Sequence, residues 1–159
     1  MIKTIFIRTS NKRIASALSA FVVFSTFAVF TTHANAQEFR TIFNGEDLAG
    51  WKGDMTRWSV KDGAITGTTT KDRPLPHNQF LIWDGMVSDF EFKAEFRLIG
   101  SNNSGVQYRS QAFKDAGDFR IKGYQADIHA NPPYTGMLYD EGGRGIVSLR
   151  SHPCSICPK

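Results

Sequence analysis

Residues 89–98, DFEFKAEFRL, alternate apolar and charged side chains without interruption. The apolar positions are Phe90, Phe92, Ala94, Phe96 and Leu98. Because successive side chains of a β-strand point to opposite faces, this period of two predicts a strand with one face on a core and the other in water. Burial of apolar surface stabilises by about 25 cal/mol per Å², so we expect this strand to be central in its sheet.

Shorter runs of aromatic and β-branched residues extend the same pattern along the chain. They predict further strands at residues 39–43, 57–60, 64–68, 79–83, 105–110, 123–129, 137–139 and 146–150. Tight turns need residues that tolerate positive φ angles. Such residues stand between the runs at Asn44-Gly45, Asp62-Gly63, Asn102-Asn103 and Gly142-Gly143. The expected fold class is therefore all-β, a sandwich of two sheets.

The first 36 residues have a different composition. A basic start, MIKTIFIRTSNKR, precedes the apolar run 14–30 and a small-x-small pattern at Ala34 and Ala36. This order predicts a signal peptide, residues 1–36, cleaved after Ala36. The alternative is a membrane anchor, but a span needs about 20 apolar residues, and this run is shorter and contains serines. We therefore expect an exported protein, periplasmic or extracellular.

The formal net charge of +4 comes entirely from this segment, because residues 37–159 hold 15 basic and 15 acidic residues. A neutral chain without a basic cluster lacks the electrostatic footprint of nucleic-acid binding. We expect neither nucleic acid nor, after signal cleavage, a membrane among its partners.

The chain ends in SHPCSICPK, which has no strand or helix pattern. Its Cys154 and Cys157 are compatible with a disulfide, a redox pair or half of a metal site. Residues 37–159 are also few for a large two-sheet β-domain. We therefore expect that the β-domain, residues 37–150, is incomplete at its C-terminus and that residues 151–159 are an aberrant or truncated tail.

Two of the predicted strands each carry a polar face opposite an apolar one. If they pair over a common core, the alternation brings together Gln107, Arg109, Gln125, Asp127 and His129. Such a patch can bind a sugar or transfer protons to and from one. The alternative is an ordinary solvated surface, on which an Arg–Asp pair contributes under about 1 kcal/mol.

Aromatic residues and a following loop are less specific. The loop contains Tyr134, Tyr139, Asp140, Glu141 and Arg144, a composition typical of a ligand-site rim but also of other surface loops. Trp51 and Trp58 are interpreted as structural, since large aromatics dominate cores. His77 and Trp83 are weaker site candidates.

Six strings in this order resemble the 3-keto-disaccharide hydrolase domain family over about residues 39–149: FNGEDLAGW, WSVKDGAITG, SDFEFKAEFRL, SNNSGVQYRS, GYQADI and TGMLYDEGGRG. The resemblance implies a concanavalin A-like jelly roll whose curved polar face binds a small-molecule sugar or glycoside. It also implies cleavage of glycosides oxidised at C3: a base removes the acidified C2 hydrogen, the C1 substituent leaves, and water adds.

The resemblance also implies roles. Asp127 is expected to be the base or a metal ligand, and Arg109 and Gln125 to hold the sugar or the enolate oxygen. Expected substrate-binding residues are Asn103, Gln107, His129, Tyr139, Glu141 and Arg144. A divalent cation is compatible with this chemistry, although the sequence shows no complete ligand set.

The chain departs from the family in two places. Many members have Glu where Gln125 stands, and members continue with several more strands past residues 146–150. A non-catalytic carbohydrate-binding module on the same fold is the alternative function, because fold alone does not separate lectins from hydrolases. A purely structural domain would follow if the polar residues lay on different faces.

Overall fold

The computed structural model describes residues 2–9, 38–101, 103–113 and 119–149. Its regular structure is almost entirely β. The strands are β1 Ile2–Thr9, β2 Arg40–Thr41, β3 Trp51–Lys52, β4 Trp58–Lys61, β5 Ala64–Gly67, β6 Ile82–Trp83, β7 Phe90–Phe96, β8 Asn103–Ala112, β9 Ile121–His129, β10 Leu138–Glu141 and β11 Gly145–Ser148. A 3₁₀ turn, Pro132–Tyr134, follows β9. No helix in the described part of the chain is long and apolar enough to cross a membrane.

Two larger antiparallel sheets make up the jelly-roll sandwich, and β3 and β6 pair in a separate two-stranded sheet. The first has the order β2-β1-β5-β4, with β7 also paired to β1, and the second has the order β11-β10-β9-β8. Between them lies a cavity of about 240 Å³, bordered by apolar side chains of β7, β8 and β9: Phe92, Ala94, Phe96, Val106, Ala126 and Ile128. The apolar faces of β8 and β9 therefore meet β7, which confirms the predicted all-β sandwich.

Each strand predicted from the sequence overlaps an observed one. Asp62 and Gly63, with φ angles of 51° and 68°, join β4 to β5 in the two-residue turn that the sequence predicts. The short strand β3 was not predicted. Asn102, Cys154 and Cys157 lie outside the described residues, as does the whole segment 151–159.

β1 occupies the middle of the first sheet. One edge pairs along β7, from Ile2 opposite Phe96 to Thr9 opposite Phe90, and the other edge pairs with β2 and β5. The alternation of apolar and charged residues along β7 shows which side chains share a face, but it does not show which strands pair with β7. Among the described strands β7 pairs with β1 alone, so it is not the central strand that we expected.

The position of β1 was not expected from the sequence, which places residues 2–9 in the predicted signal peptide. Ile5 and Ile7 are 3% and 2% exposed, and Ile5 shares a core cluster with Phe43 and Ile65. The structure describes the uncleaved chain, and cleavage after Ala36 stays a prediction.

The two N-terminal tryptophans are structural, as predicted. Trp51 and Trp58 pack against the core cluster. The Trp51 indole N–H donates a hydrogen bond to the carbonyl of Ile42 at 3.2 Å, so its polar group is satisfied.

Truncation of a core residue of this cluster should unfold the domain more easily. We expect Ile65→Ala to lower the free energy of unfolding by about 2–5 kcal/mol, because Ile65 is 2% exposed and its removal leaves a cavity. Urea denaturation of the purified chain measures the change. Met86→Ala is the control, since Met86 is 96% exposed, and should change stability by less than about 0.5 kcal/mol. Equal effects of the two substitutions would contradict this core assignment.

Candidate functional site

The antiparallel register of β8, β9 and β10 brings polar side chains onto one face of the second sheet. Gly105 lies opposite Asp127, and Gln107 lies opposite Gln125. On the other side of β9, Tyr139 lies opposite Gln125. Directly paired residues share a face, so these side chains lie on the face that points away from β7.

A cavity of about 120 Å³, here called the polar cavity, opens on this face. Its lining residues are Asn78, Asn103, Gln125, Asp127, Met137, Tyr139 and Glu141. Five of these were predicted from the sequence. Asn78 comes from the segment between β5 and β6, and its side-chain amide donates to the two carboxylate oxygens of Glu141 at 3.1 and 3.0 Å. This contact fixes the segment beside the polar face.

A chain of side-chain hydrogen bonds leads along this face to Asp127. The Ser110 hydroxyl donates to Gln107 Oε1 at 3.0 Å, and Gln107 Nε2 donates to Gln125 Oε1 at 3.2 Å. Gln125 Nε2 then donates to Asp127 Oδ1 at 2.6 Å. Each amide uses its oxygen as acceptor and its nitrogen as donor, so the chain orients the Gln125 N–H toward the carboxylate.

The Asp127 side chain is buried, and one of its two carboxyl oxygens has no hydrogen-bond partner. It is 3% exposed, and its Oδ2 is buried without a hydrogen-bond partner. Burial raises the pKa of Asp127 above its ordinary value, against the opposing effects of the Gln125 hydrogen bond and of nearby His129. A buried carboxyl with raised proton affinity that lines the polar cavity is suited to accept a proton from a bound molecule.

Gly105 provides the space that the Gln125 side chain occupies. A Cβ atom at this position would lie 2.4 Å from both Cγ and Cδ of Gln125, closer than real contacts allow. The glycine opposite Asp127 therefore permits the Gln125 amide to reach the carboxylate.

Arg109 lies outside the polar cavity. The pairing of β8 with β9 shifts between Tyr108 and Gln111, and Arg109 has a φ angle of 49°, as expected at a β-bulge. The bulge interrupts the alternation that the prediction assumed. Ser110, rather than Arg109, faces Gln107, and the exposed Arg109 guanidinium lies 3.7 Å from Asp89.

Arg144 is also placed elsewhere. Its guanidinium donates to Asp140 at 2.8 Å and to the Tyr124 hydroxyl at 3.2 Å. Those partners belong to the opposite face of the sheet, since Tyr124 and Asp140 alternate with Gln125 and Tyr139. The Arg144 hydrogen bonds hold the pKa of Asp140 below its usual value.

His129 lies on the β9 face of Asp127 without lining the polar cavity. Its Nδ1 accepts a hydrogen bond from the Asn131 backbone N–H at 2.8 Å, and its ring centroid is 5.1 Å from that of Tyr134. These contacts orient the imidazole, so its influence on Asp127 is electrostatic.

Sequence reasoning missed Asn78 and Met137 as lining residues. Asn78 directly follows His77, which the sequence suggested only weakly. The segment has no strand periodicity, so its docking beside Glu141 depends on tertiary structure and could not be located from the sequence.

Removing the Gln125 hydrogen bond should raise the pKa of Asp127 further. In Gln125→Leu the carboxylate loses the donor that favours its charged form. The measurement is an NMR titration of the Asp127 carboxyl carbon. Gln111→Leu is the matched control, because Gln111 is exposed on the same strand pair and should leave the titration unchanged. A pKa that falls in Gln125→Leu would contradict the hydrogen-bond chain.

Comparison with known proteins gives one match. A family model described as a 3-keto-alpha-glucoside-1,2-lyase-like domain matches residues 38–155. No curated protein and no solved structure matched the chain. The matched range contains β2 to β11 and every lining residue of the polar cavity, and it supports a carbohydrate-active function. The chain therefore belongs to the family of 3-keto-alpha-glucoside-1,2-lyase-like domains.

Proposed function

We propose that the polar cavity binds a glycoside oxidised at C3 and that Asp127 removes the proton from C2. The observation that carries the proposal is the state of Asp127: its carboxyl is buried, its pKa is raised, and its Oδ2 has no partner. A general base works best when its proton affinity is raised toward the operating pH, and its lone pair must be available to the substrate.

The reaction has three balanced steps. The C2 hydrogen passes as a proton to the Asp127 carboxylate, and the C–H electron pair forms an enolate with the C3 carbonyl. Collapse of the enolate forms the C1–C2 double bond and expels the C1 substituent, which leaves with the bonding electrons and takes up the proton held by Asp127, so the carboxylate is regenerated. Water then adds across the double bond, with its oxygen at C1 and a proton returned to C2, giving the 3-keto sugar.

Other groups that line the polar cavity supply the remaining roles in this proposal. The Asn103 amide and the Tyr139 hydroxyl are donors suited to the developing enolate oxygen. The Glu141 carboxylate, held by Asn78, is an acceptor for sugar hydroxyls. Arg109 receives no role, because its ion pair with Asp89 lies away from this cavity.

The described residues do not provide a complete set of metal ligands. Across the described ranges there is no group of three or more His, Cys, Asp or Glu side chains placed to hold a metal ion. The polar cavity itself contributes the carboxylates of Asp127 and Glu141. No step above is routed through a metal.

The direct test is release of a chromogenic aglycone from a 3-keto-glucoside. We expect Asp127→Asn to lower kcat/KM by about 10²-fold or more, because it removes the general base while keeping an acceptor for Gln125. Calorimetric titration with the same sugar measures whether binding survives. Turnover that persists in the variant would contradict the role of Asp127. Binding without turnover in the unsubstituted protein would identify a carbohydrate-binding module instead.

Substitution of Arg109 tests whether the site is confined to the polar cavity or also includes the other polar residues of β8 and β9. We expect Arg109→Ala to change kcat/KM less than about threefold, since the side chain is exposed and paired with Asp89. The same aglycone assay provides the measurement. A loss comparable to that of Asp127→Asn would place Arg109 at the reacting sugar and contradict this arrangement.

Activity should fall on acidification through the pKa of Asp127. The base must be ionised, and its raised pKa places the acidic limb of kcat/KM above the ordinary aspartate value of 3.8. A pH–rate profile measures the limb, and Gln125→Leu should move it upward. An acidic limb at or below 3.8 would contradict the assignment of Asp127 as base.

A further inference from the structure

The middle position of the first sheet is filled by a strand that lies outside the family domain. β1 comprises residues 2–9, whereas the family match begins at residue 38. Its sequence neighbour β2 begins at Arg40, so residues 10–39 connect two paired strands.

The surroundings of β1 define a groove with two edges. β7 supplies one edge with a near-continuous antiparallel register, and β2 and β5 supply the other. The backbone N–H of Ile42 donates to the carbonyl of Ile5 at 3.1 Å. An empty groove would leave these backbone groups without partners, which is the condition that favours addition of a strand.

The floor of the groove buries apolar side chains at alternate positions of the strand that fills it. Ile5 and Ile7 are 3% and 2% exposed, and Ile5 packs with Phe43 and Ile65. Half-buried Phe92 also packs against this cluster. A strand lacking aliphatic groups at both positions would leave this part of the core open.

The rim of the groove places an acidic side chain beside Arg8. The Arg8 guanidinium forms an ion pair with Glu91 of β7, and its Cζ lies 4.9 Å from the centre of the Phe39 ring. The occupant therefore presents the pattern aliphatic-x-aliphatic-basic, as Ile5, Ile7 and Arg8 do.

We propose that this groove is a strand-binding site, filled by Ile2–Thr9 in the uncleaved chain and open to a separate polypeptide segment of the same pattern once that strand is detached. The predicted cleavage after Ala36 is one way to detach it, because it breaks the connection between β1 and β2. The partner is an extended peptide that pairs antiparallel to β7, with two aliphatic residues inward and a basic residue beside Glu91. The proposal does not depend on the reaction assigned to the polar cavity.

The test detaches β1 after folding. In the full chain, residues 31–36 are replaced by the recognition sequence of a specific protease, which also removes the predicted cleavage pattern. The intact and cut proteins are then titrated with a fluorescein-labelled peptide of residues 2–9, IKTIFIRT, and binding is followed by anisotropy. The control peptide carries Ile5→Asp and Ile7→Asp.

We expect saturable binding to the cut protein at least tenfold tighter than to the intact protein, and no binding of the control peptide. Hydrogen exchange should show that bound peptide restores protection to the β7 amides. A second variant needs no cut: in intact Ile7→Asp, which weakens β1 in place, the added unsubstituted peptide should also bind and restore that protection.

Four results of the binding and exchange measurements would overturn the proposal. They are equal binding to intact and cut protein, equal binding of the control peptide, a cut protein that retains its own strand against a hundredfold excess of peptide, and a cut protein whose lost structure the peptide does not restore. Intact chains that dimerise by exchanging residues 2–9 would show that the occupant is a second copy and would also overturn it.

Discussion

The register between β8 and β9 is the constraint on which the candidate site depends. A shift of one residue would turn Gln125 and Asp127 toward β7 and bring Ala126 to the polar face, because side chains alternate with a period of two. The observed register instead pairs Gly105 with Asp127 and Gln107 with Gln125. Burial of Ile128 on one face and the hydrogen-bond chain on the other favour the same register. Packing and polar contacts therefore agree on one arrangement.

Both sheets alternate side chains between two faces, but the first sheet uses the alternation to bury apolar residues and the second uses it to separate apolar from polar residues. In the first sheet, β1 supplies Ile5 and Ile7 to the interior, and the core cluster gathers around that sheet. The second sheet directs its apolar face to β7 and leaves its outer face for polar groups. Gln125, Asp127 and Tyr139 of the candidate site lie on the second sheet, and Asp127 also borders the cavity between the two sheets.

How much could be predicted from the sequence depends on how local each feature is. The alternation in residues 89–98 and the Asp62-Gly63 turn are local patterns, so strands and hairpins were predicted well. Gln125 and Asp127 share one face of β9 for the same reason. Arg109 was misplaced because a β-bulge changes which residue faces Gln107, and no signal in the sequence marked it.

Other features depend on contacts far apart in the chain. Asn78 reaches Glu141 across 63 positions, and Arg144 reaches Tyr124 across 20. The strand β1 is the extreme case, since its basic and apolar residues read equally as the start of a signal peptide. A composition that suits export also suits an amphipathic strand. The pairing of β1 with β7 and β5 shows the strand in the uncleaved chain, and the signal peptide stays a prediction.

The raised pKa of Asp127 links this site to the stability of the whole domain. A group whose pKa is higher in the folded chain than in the unfolded chain binds its proton more tightly when folded. Its contribution is therefore present below the unfolded pKa and is lost as the pH rises through the folded pKa. At pH values where the carboxylate is ionised and able to act as a base, the free energy of unfolding is lowered, because the folded chain holds a buried charge with one unpartnered oxygen. The Gln125 hydrogen bond reduces that loss of stability, and a substrate that donates a hydrogen bond to Oδ2 would reduce it further. Folding therefore favours the protonated carboxyl, whereas binding of such a substrate would favour the ionised one.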